Sequence, residues 1–393
     1  MKKPETQMCT ACGSTNVMEV VAIENVPAHC NVLWDDRASA INCPKGDIQL
    51  NFCNDCGHLY NQVFDEQLMS YDQEYENTLD FSPSFRKYAS KLVDRLTTTY
   101  DLYGKDIIEV GCGKGDFLKM ISSQGNNRGY GFDKSYDPSI ENEKPEQVEF
   151  IEDFYSEKYA AYPSDLIVSR HVLEHIEYPK PFVSNIKNIA ANNGKAKVFY
   201  FEVPNILYTL RDFGIWDLIY EHCSYFSATS LTTLFESIGL HVLNVSEGYS
   251  GQFLSVEAST VRQPKSHQPY IDIHSISEWV QKFATRFNQK ITDWSNKLKQ
   301  FDAENKKVVV WGGGSKGVSF LNFLKTEGVI DYIVDINPRK EGKYVAGTGQ
   351  EYIQPNRLKE VRPDVVIVMN PIYKDEIEQS LHEMGLSPEV FTA

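Results

Sequence analysis

Positive charge and long apolar runs are what this 393-residue chain lacks. Lys and Arg number 39 against 54 Asp and Glu, a formal net charge of −15. Such a surplus repels a polyanion, so nucleic acid is not expected as a partner. A small anionic substrate held by a local Lys or Arg remains compatible with it. No stretch approaches the ~20 apolar residues of a spanning helix, so no membrane is expected as a partner either. The polar start, residues 1–7, has no apolar segment of a secretion signal. A cytoplasmic location is therefore expected, where thiols stay reduced. Cysteine is scarce beyond residue 80: six of the eight precede it. The length allows two or three domains with ample core.

Four of those cysteines form two knuckles, Cys9-Thr-Ala-Cys12-Gly13 and Cys53-Asn-Asp-Cys56-Gly57. Each Cys-x-x-Cys-Gly is a tight turn that aims two thiolates at one point, and two such turns complete a tetrahedral zinc site. Some 40 residues separate them, which predicts a small β-insert. Four thiolates leave no open coordination position, so the expected Zn2+ is structural. A disulfide framework is disfavoured in a reducing compartment. His29, Cys30, Cys43 and His58 are secondary ligand candidates, more in keeping with packing.

Residues 64–100 change character. Tyr71 and Tyr75 stand four apart on one helical face, where a lid over a following domain is expected. Ser82 or Ser84 can cap a helix that runs to about Tyr100, with Pro83 in its first turn.

The most informative stretch is Ile108-Glu109-Val110-Gly111-Cys112-Gly113-Lys114-Gly115. An apolar strand, 106–110, meets glycines at alternate positions and then a helix from Asp116. Glycines let a large ligand approach the backbone, and the helix start offers free N–H groups. The next strand, 128–132, ends at Asp133, where an acid can grip ribose hydroxyls. By spacing alone, a phosphate-binding Rossmann turn, an S-adenosylmethionine (SAM) turn and an unoccupied turn all stay open. Glu109 favours a cationic or hydroxyl-bearing ligand over pyrophosphate. Further strands at 148–151, 165–169, 197–203, 241–246 and 253–258 alternate with helices. That alternation predicts an α/β fold with a mainly parallel sheet and ligands at its carboxyl edge. Asp153 follows the third strand, within reach of an adenine amine.

Past a polar stretch, 261–270, residues 275–301 read as a long amphipathic helix carrying Ile276, Trp279, Phe283, Phe287, Ile291, Trp294, Leu298 and Phe301. A second strand–glycine–helix follows, Val308-Val309-Val310-Trp311-Gly312-Gly313-Gly314-Ser315-Lys316-Gly317, whose next strand ends at Asp335. It reads as another Rossmann half, with a last strand at 365–369 and Lys316 placed for a phosphate oxygen. The turn does not match Gly-x-Gly-x-x-Gly in full, which argues against a dinucleotide oxidoreductase.

Proton chemistry concentrates in two segments at the carboxyl edge: Ser169-Arg170-His171-Val172-Leu173-Glu174-His175-Ile176 and Tyr220-Glu221-His222-Cys223-Ser224-Tyr225. Histidine is the natural base near neutral pH, and a neighbouring carboxylate fixes its tautomer. His222 is the first candidate base, with Glu221 and Tyr220 beside it, and His171 the second. Glu109, Gly111, Gly113, Gly115, Asp133, Asp153, Arg170 and His171 are the candidate cofactor contacts. Leu173–Ile176 reads as the start of a helix, with His175 packed on it.

The run Glu-Val-Gly-Cys-Gly-Lys-Gly resembles the first motif of class I SAM-dependent methyltransferases. Taken with the zinc knuckles, Leu-Glu-His-Ile, Glu-His-x-Ser-Tyr-Phe-Ser and the C-terminal glycines, nearly the whole chain resembles the three-part sugar C-methyltransferase family. That resemblance implies a zinc-binding domain (1–80), a class I SAM-binding domain (81–262) and a Rossmann-like domain with a leading helix (263–393). It implies SAM as cofactor and, as small-molecule acceptor, a nucleotide-linked deoxy-keto-sugar methylated next to its ketone through an enolate. Tyr71, Tyr75, Tyr225, Gly313 and Lys316 are the candidate acceptor contacts. The family pattern Tyr-His-Glu-His stands here as Ile219-Tyr220-Glu221-His222. One hydroxyl is lost unless Tyr220 replaces it, which keeps open an O- or N-methylated non-sugar acceptor. A non-catalytic binding scaffold is the reading from another class.

Overall fold

The computed structural model describes residues 7–69, 81–138, 145–191, 197–262, 271–326 and 328–393. Tyr71 and Tyr75 lie outside them. Among the described residues the strands gather into sheets of four, seven and five.

In the first sheet Val17–Pro27 pairs antiparallel with Lys45–Cys53, which pairs with Leu59–Asn61. This is the β-insert that the cysteine separation predicts. The fourth strand, Ser224–Tyr225, arrives from the middle of the chain and pairs Tyr225 with Leu59 and Ser224 with Tyr60. Such a long-range partner leaves no local sequence signal.

The seven-stranded sheet contains Asp106–Val110, Arg128–Phe132, Val148–Ile151, Leu166–Arg170, Val198–Pro204, His241–Gly248 and Phe253–Ser259. Numbered in that order they lie 6-7-5-4-1-2-3. Phe253–Ser259 runs antiparallel to both neighbours, while the 5-4-1-2-3 strands are mutually parallel. Parallel strands covered on both faces read as apolar runs, which is why they are visible in the sequence. Pro83–Thr99 is capped by Ser82, whose hydroxyl accepts from Phe85 N at 3.3 Å. Leu173–His175 forms a single 3-10 turn instead of opening a helix. The α-helix begins at Pro179, a residue suited to a first turn.

Val308–Trp311, Ile330–Val334, Glu351–Ile353, Val365–Val368 and Glu389–Thr392 form the five-stranded parallel sheet. The helix Ile273–Ala303 precedes it, capped by Asp272 accepting from Ser275 N at 2.9 Å. It buries Ile276, Val280, Phe283, Phe287, Trp294, Leu298 and Phe301, while Trp279 and Ile291 are partly covered. One apolar core runs from Val21 and Leu50 through Trp216 and Ile219 to this helix and on to Val310 and Ile367. Residues 206–225, expected in the SAM-binding domain, contribute to this core between the first sheet and the five-stranded sheet. No helix among the described residues is long and apolar enough to cross a membrane.

Candidate active site

The carboxyl edge of the seven-stranded sheet opens on a cavity of about 1040 Å³. Its wall includes Glu109, Gly111–Gly113, Asp133, Glu174, His175, His222, Tyr225, Gly312–Gly314 and Lys316, so both glycine turns face one space.

In the first turn Gly111, Gly113 and Gly115 have φ of 75, 52 and 79°. A Cβ on Gly111 would fall 2.2 Å from Val172, and on Gly115 2.2 Å from Phe150. On Gly113 it would meet nothing within 4 Å. The outer glycines let the turn pack on protein; Gly113 leaves its room to the cavity. Asp133 Oδ2 accepts from Gly113 N at 2.8 Å, and its Oδ1 accepts from Ser135 N and Oγ at 2.8 and 2.7 Å. Glu109 is buried beneath, with Oε2 lacking a hydrogen-bond partner. Burial pushes its pKa up to about 8, against the pull of Arg170. An orphaned carboxyl below an open glycine, with an acid at the next strand end, fits the cationic and hydroxyl groups of SAM.

Asp153 does not line this cavity. It accepts from Tyr159 Oη at 2.6 Å, Lys158 Nζ at 3.1 Å and Phe154 N at 2.9 Å. The tyrosine bond, then the lysine, draws its pKa down to about 2. The next residue, Phe154, is 70% exposed and does line the cavity. An aromatic directly after the acid was the available signal.

Arg170, expected on the cofactor, is committed to Glu202, with Nε and Nη2 donating at 3.0 and 2.8 Å. Its guanidinium also lies over Phe117, 4.4 Å from the ring centroid. Tyr200 donates to the same carboxylate at 2.8 Å, and Tyr88 donates to it as well. Burial works against the ionised form of Glu202, but Arg170 and His171 hold its pKa well below the usual range. His171 adopts φ 55°, uncommon for a non-glycine residue. Its Nε2 lies 3.3 Å from Glu202 Oε1, its Nδ1 lies 3.6 Å from Glu174 Oε1, and its ring packs edge-on to Phe253. Burial resists the charge, but the two carboxylates prevail and raise its pKa to about 9. A raised pKa favours the imidazolium, a form less suited than neutral His222 to take up a proton.

His222 differs. Burial, then the adjacent His175, pushes its pKa down to about 3, so it is neutral throughout the working range. The two rings meet edge to face with centroids 5.0 Å apart. His175 Nδ1 lies 3.0 Å from the Glu221 backbone oxygen. His175 thus belongs to the cavity wall, where the sequence favoured simple packing. The Glu221 carboxylate is fully buried and accepts from Cys30 N and, at 3.4 Å, Asn31 N. Its partners belong to the segment that links the first two strands of the first sheet, and Glu221 itself does not line the cavity. Tyr220 Oη accepts from Asp65 N at 2.8 Å, and its ring packs where a Cβ on Gly46 would fall. Tyr220 therefore does not stand in for the missing family tyrosine. Tyr225 reaches the cavity, its hydroxyl accepting from Ile219 N at 3.3 Å and donating to Ile219 O at 3.1 Å.

On the far wall Lys316 Nζ sits 3.2 Å from Asp217 Oδ1 and 3.4 Å from Gln252 Oε1. Lys340, which the sequence did not single out, donates to Gly313 O and Asp335 Oδ2, both at 3.0 Å. Remote from the cavity, the four knuckle cysteines each bring a sulfur within 4.8 Å of the others. The Cys9–Cys56 and Cys12–Cys53 separations are 3.7 and 3.6 Å.

A methyltransferase-domain family model matches residues 83–245, and a C-methyltransferase C-terminal-domain model matches residues 258–387. C-methyltransferase NovU of Streptomyces niveus is 24% identical over 391 residues, covering 94% of this chain and 90% of its own. Among solved structures, magnesium protoporphyrin IX methyltransferase (ChlM) of Synechocystis PCC 6803 with bound SAH is 13% identical, with a TM-score of 0.36 over 47% of this chain and 89% of its own. The 1,6-didemethyltoxoflavin-N1-methyltransferase of Burkholderia thailandensis is 12% identical, with a TM-score of 0.34 over 47% and 83%. The two domain models follow one another along most of the chain, the first across the glycine turn at Gly111 and the second across the turn at Gly312. The chain thus carries a methyltransferase domain followed by a C-methyltransferase C-terminal domain, and it is a SAM-dependent methyltransferase.

Proposed function

We propose that this enzyme methylates the carbon next to a ketone in a nucleotide-linked deoxy-keto-sugar, with His222 as the base. The observation that carries the reading is the single cavity: a cofactor turn at one end, a histidine pair in the middle, a second glycine turn with Lys316 at the other. Glu109, Gly111, Gly113, Asp133 and Phe154 would hold SAM, which supplies an electrophilic methyl group. Gly115 shapes the same turn.

His222 is unprotonated and free to accept the α-proton, but the burial that keeps it so also weakens it as a base, so the charge it gains needs a stabilising partner. The released electron pair delocalises onto the ketone oxygen, and the His175 ring beside it faces that developing charge. Tyr225 shapes the wall, and Gly313 and Lys316 receive the anionic carrier. Glu221 positions the turn: its carboxylate ties it to the backbone at Cys30, and its carbonyl orients His175.

Zn2+ at Cys9, Cys12, Cys53 and Cys56 belongs to the same reading. Four thiolates ~2.3 Å from an ion lie ~3.8 Å apart, close to the observed separations. The metal would brace the sheet whose Leu59–Asn61 strand pairs with Ser224–Tyr225, immediately after His222.

The test is solvent exchange. Enzyme, S-adenosylhomocysteine and a panel of nucleoside-diphosphate deoxy-keto-sugars are mixed in D2O and followed by NMR. Deuterium should enter the carbon next to the ketone, and replacing the by-product with SAM should put the methyl group on that carbon. Transfer to oxygen or nitrogen of a non-sugar acceptor, with no exchange, would sink the reading.

A further inference from the structure

We propose that Glu174, and not the sequence neighbour Glu221, is the carboxylate that stabilises the charge His222 gains when it takes the proton. The proposal rests on the reading of His222 as base. Glu174 is 2% exposed yet lines the cavity. One carboxylate oxygen of Glu174 and one ring nitrogen each of His175 and His222 lie within 4.8 Å of one another. Its Oε1 is 3.6 Å from His171, while its Oε2 has no hydrogen-bond partner. The backbone holds it there: Leu173–His175 is a 3-10 turn, and the Glu174 carbonyl accepts from Cys223 Sγ at 3.7 Å. Glu221 directs its carboxylate to Cys30 and Asn31 instead.

Protonating a half-buried imidazole places a cation where water screens it only in part, so the nearest carboxylate bears on whether the step is feasible. The titratable side chains around His222 are His175, Glu174 and His171, with Tyr225 edge-on to its ring. Burial alone would neutralise Glu174, but the imidazoles of His171, His175 and His222 hold its pKa below the ordinary carboxylate value. It is therefore an anion before the reaction begins. In the step itself the substrate C–H bond breaks, its electron pair enters the enolate, and the proton bonds to a ring nitrogen of His222. Glu174 stays ionised throughout, a positioning residue that never holds the proton. After turnover His222 returns the proton to solvent.

Three variants of the full-length enzyme test this: Glu174→Gln, Glu174→Asp and His222→Ala. The readouts are α-hydrogen exchange, kcat and KM, SAM affinity and thermal midpoint. Glu174→Gln should slow exchange and kcat by ~100-fold, the lower range for a general-base contribution, with KM and SAM affinity unchanged. Glu174→Asp should restore about a tenth of the exchange rate or more. Exchange within threefold of the parent in Glu174→Gln, while His222→Ala is dead, would overturn the role of Glu174 and keep His222. Full exchange in His222→Ala would overturn the base itself. Metal analysis closes a further route: a second bound metal per chain that disappears in Glu174→Gln would make Glu174 a ligand and overturn the proposal.

Discussion

At Gly111–Gly113 and at Gly312–Gly314 the chain makes the same local move: an apolar strand, a glycine turn, a helix, and an acid at the end of the next strand. Even the acids begin alike, Asp133 Oδ1 accepting from Ser135 N and Asp335 Oδ1 from Asn337 N, both at 2.8 Å. The difference lies in what occupies each turn. Beneath the first stands the orphaned Glu109; the matching residue beneath the second is the fully buried Val310. A Cβ on Gly113 would find open space, while one on Gly313 would fall 2.5 Å from Tyr352 and 2.8 Å from Asp335. Lys340 already bridges Gly313 and Asp335. One backbone device thus stands on two floors: the first turn opens at Gly113 above a carboxyl, and the second is packed at Gly313 and opens only at Gly314, above an apolar strand.

The largest expected effect comes from emptying the second turn. Lys340→Met strands the Asp335 carboxylate and should cost ~3 kcal/mol of stability in denaturant titration, as for other broken buried pairs. It should leave SAM affinity as it was; tighter or additional SAM binding would mean that Lys340 alone separates the two turns. Filling the first turn is the converse. Gly113→Val should weaken SAM binding by ~100-fold, about 2.7 kcal/mol, by projecting methyl groups into the cavity. The chain itself should lose only ~1–2 kcal/mol from the positive φ.

Next comes the charge beneath the first turn. The pKa of His171 is raised to about 9, so its contribution is complete below the unfolded value near ~6.5 and lost as pH rises through 9. Ligand-free enzyme should therefore lose on the order of 3 kcal/mol between pH 6 and 10 relative to His171→Asn, a residue that tolerates the positive φ. Equal pH dependence in both proteins would remove the imidazolium. The smallest effect is a proton count. With its pKa raised to about 8, Glu109 is largely protonated at pH 7. Binding of cationic SAM should expel close to ~1 proton, seen by calorimetry in buffers of different ionisation enthalpy and absent in Glu109→Gln.

Much of this arrangement is legible in the chain. The buried parallel strands appear as apolar runs ending in glycine, and the cap at Ser82 and the stripe along Ile273–Ala303 follow from residue spacing. What stays hidden depends on direction. Glu221 adjoins His222 in sequence, but the turn and the first sheet send its carboxylate to Cys30. Glu174 lies 48 positions from His222 and meets it because two strand ends converge at one edge. Asp153 was read from its place after a strand, yet a tyrosine six residues later claims it. Lys340 sits in a segment without pattern, and its role emerges only when the chain folds back over Gly313.

The most direct measurement is a calorimetric titration of SAM into the enzyme, run in parallel on Gly113→Val and Lys340→Met. The account predicts one site per chain, lost or ~100-fold weakened in the first variant and intact in the second. Two sites in the parent, or a single site that survives Gly113→Val and vanishes in Lys340→Met, would contradict it.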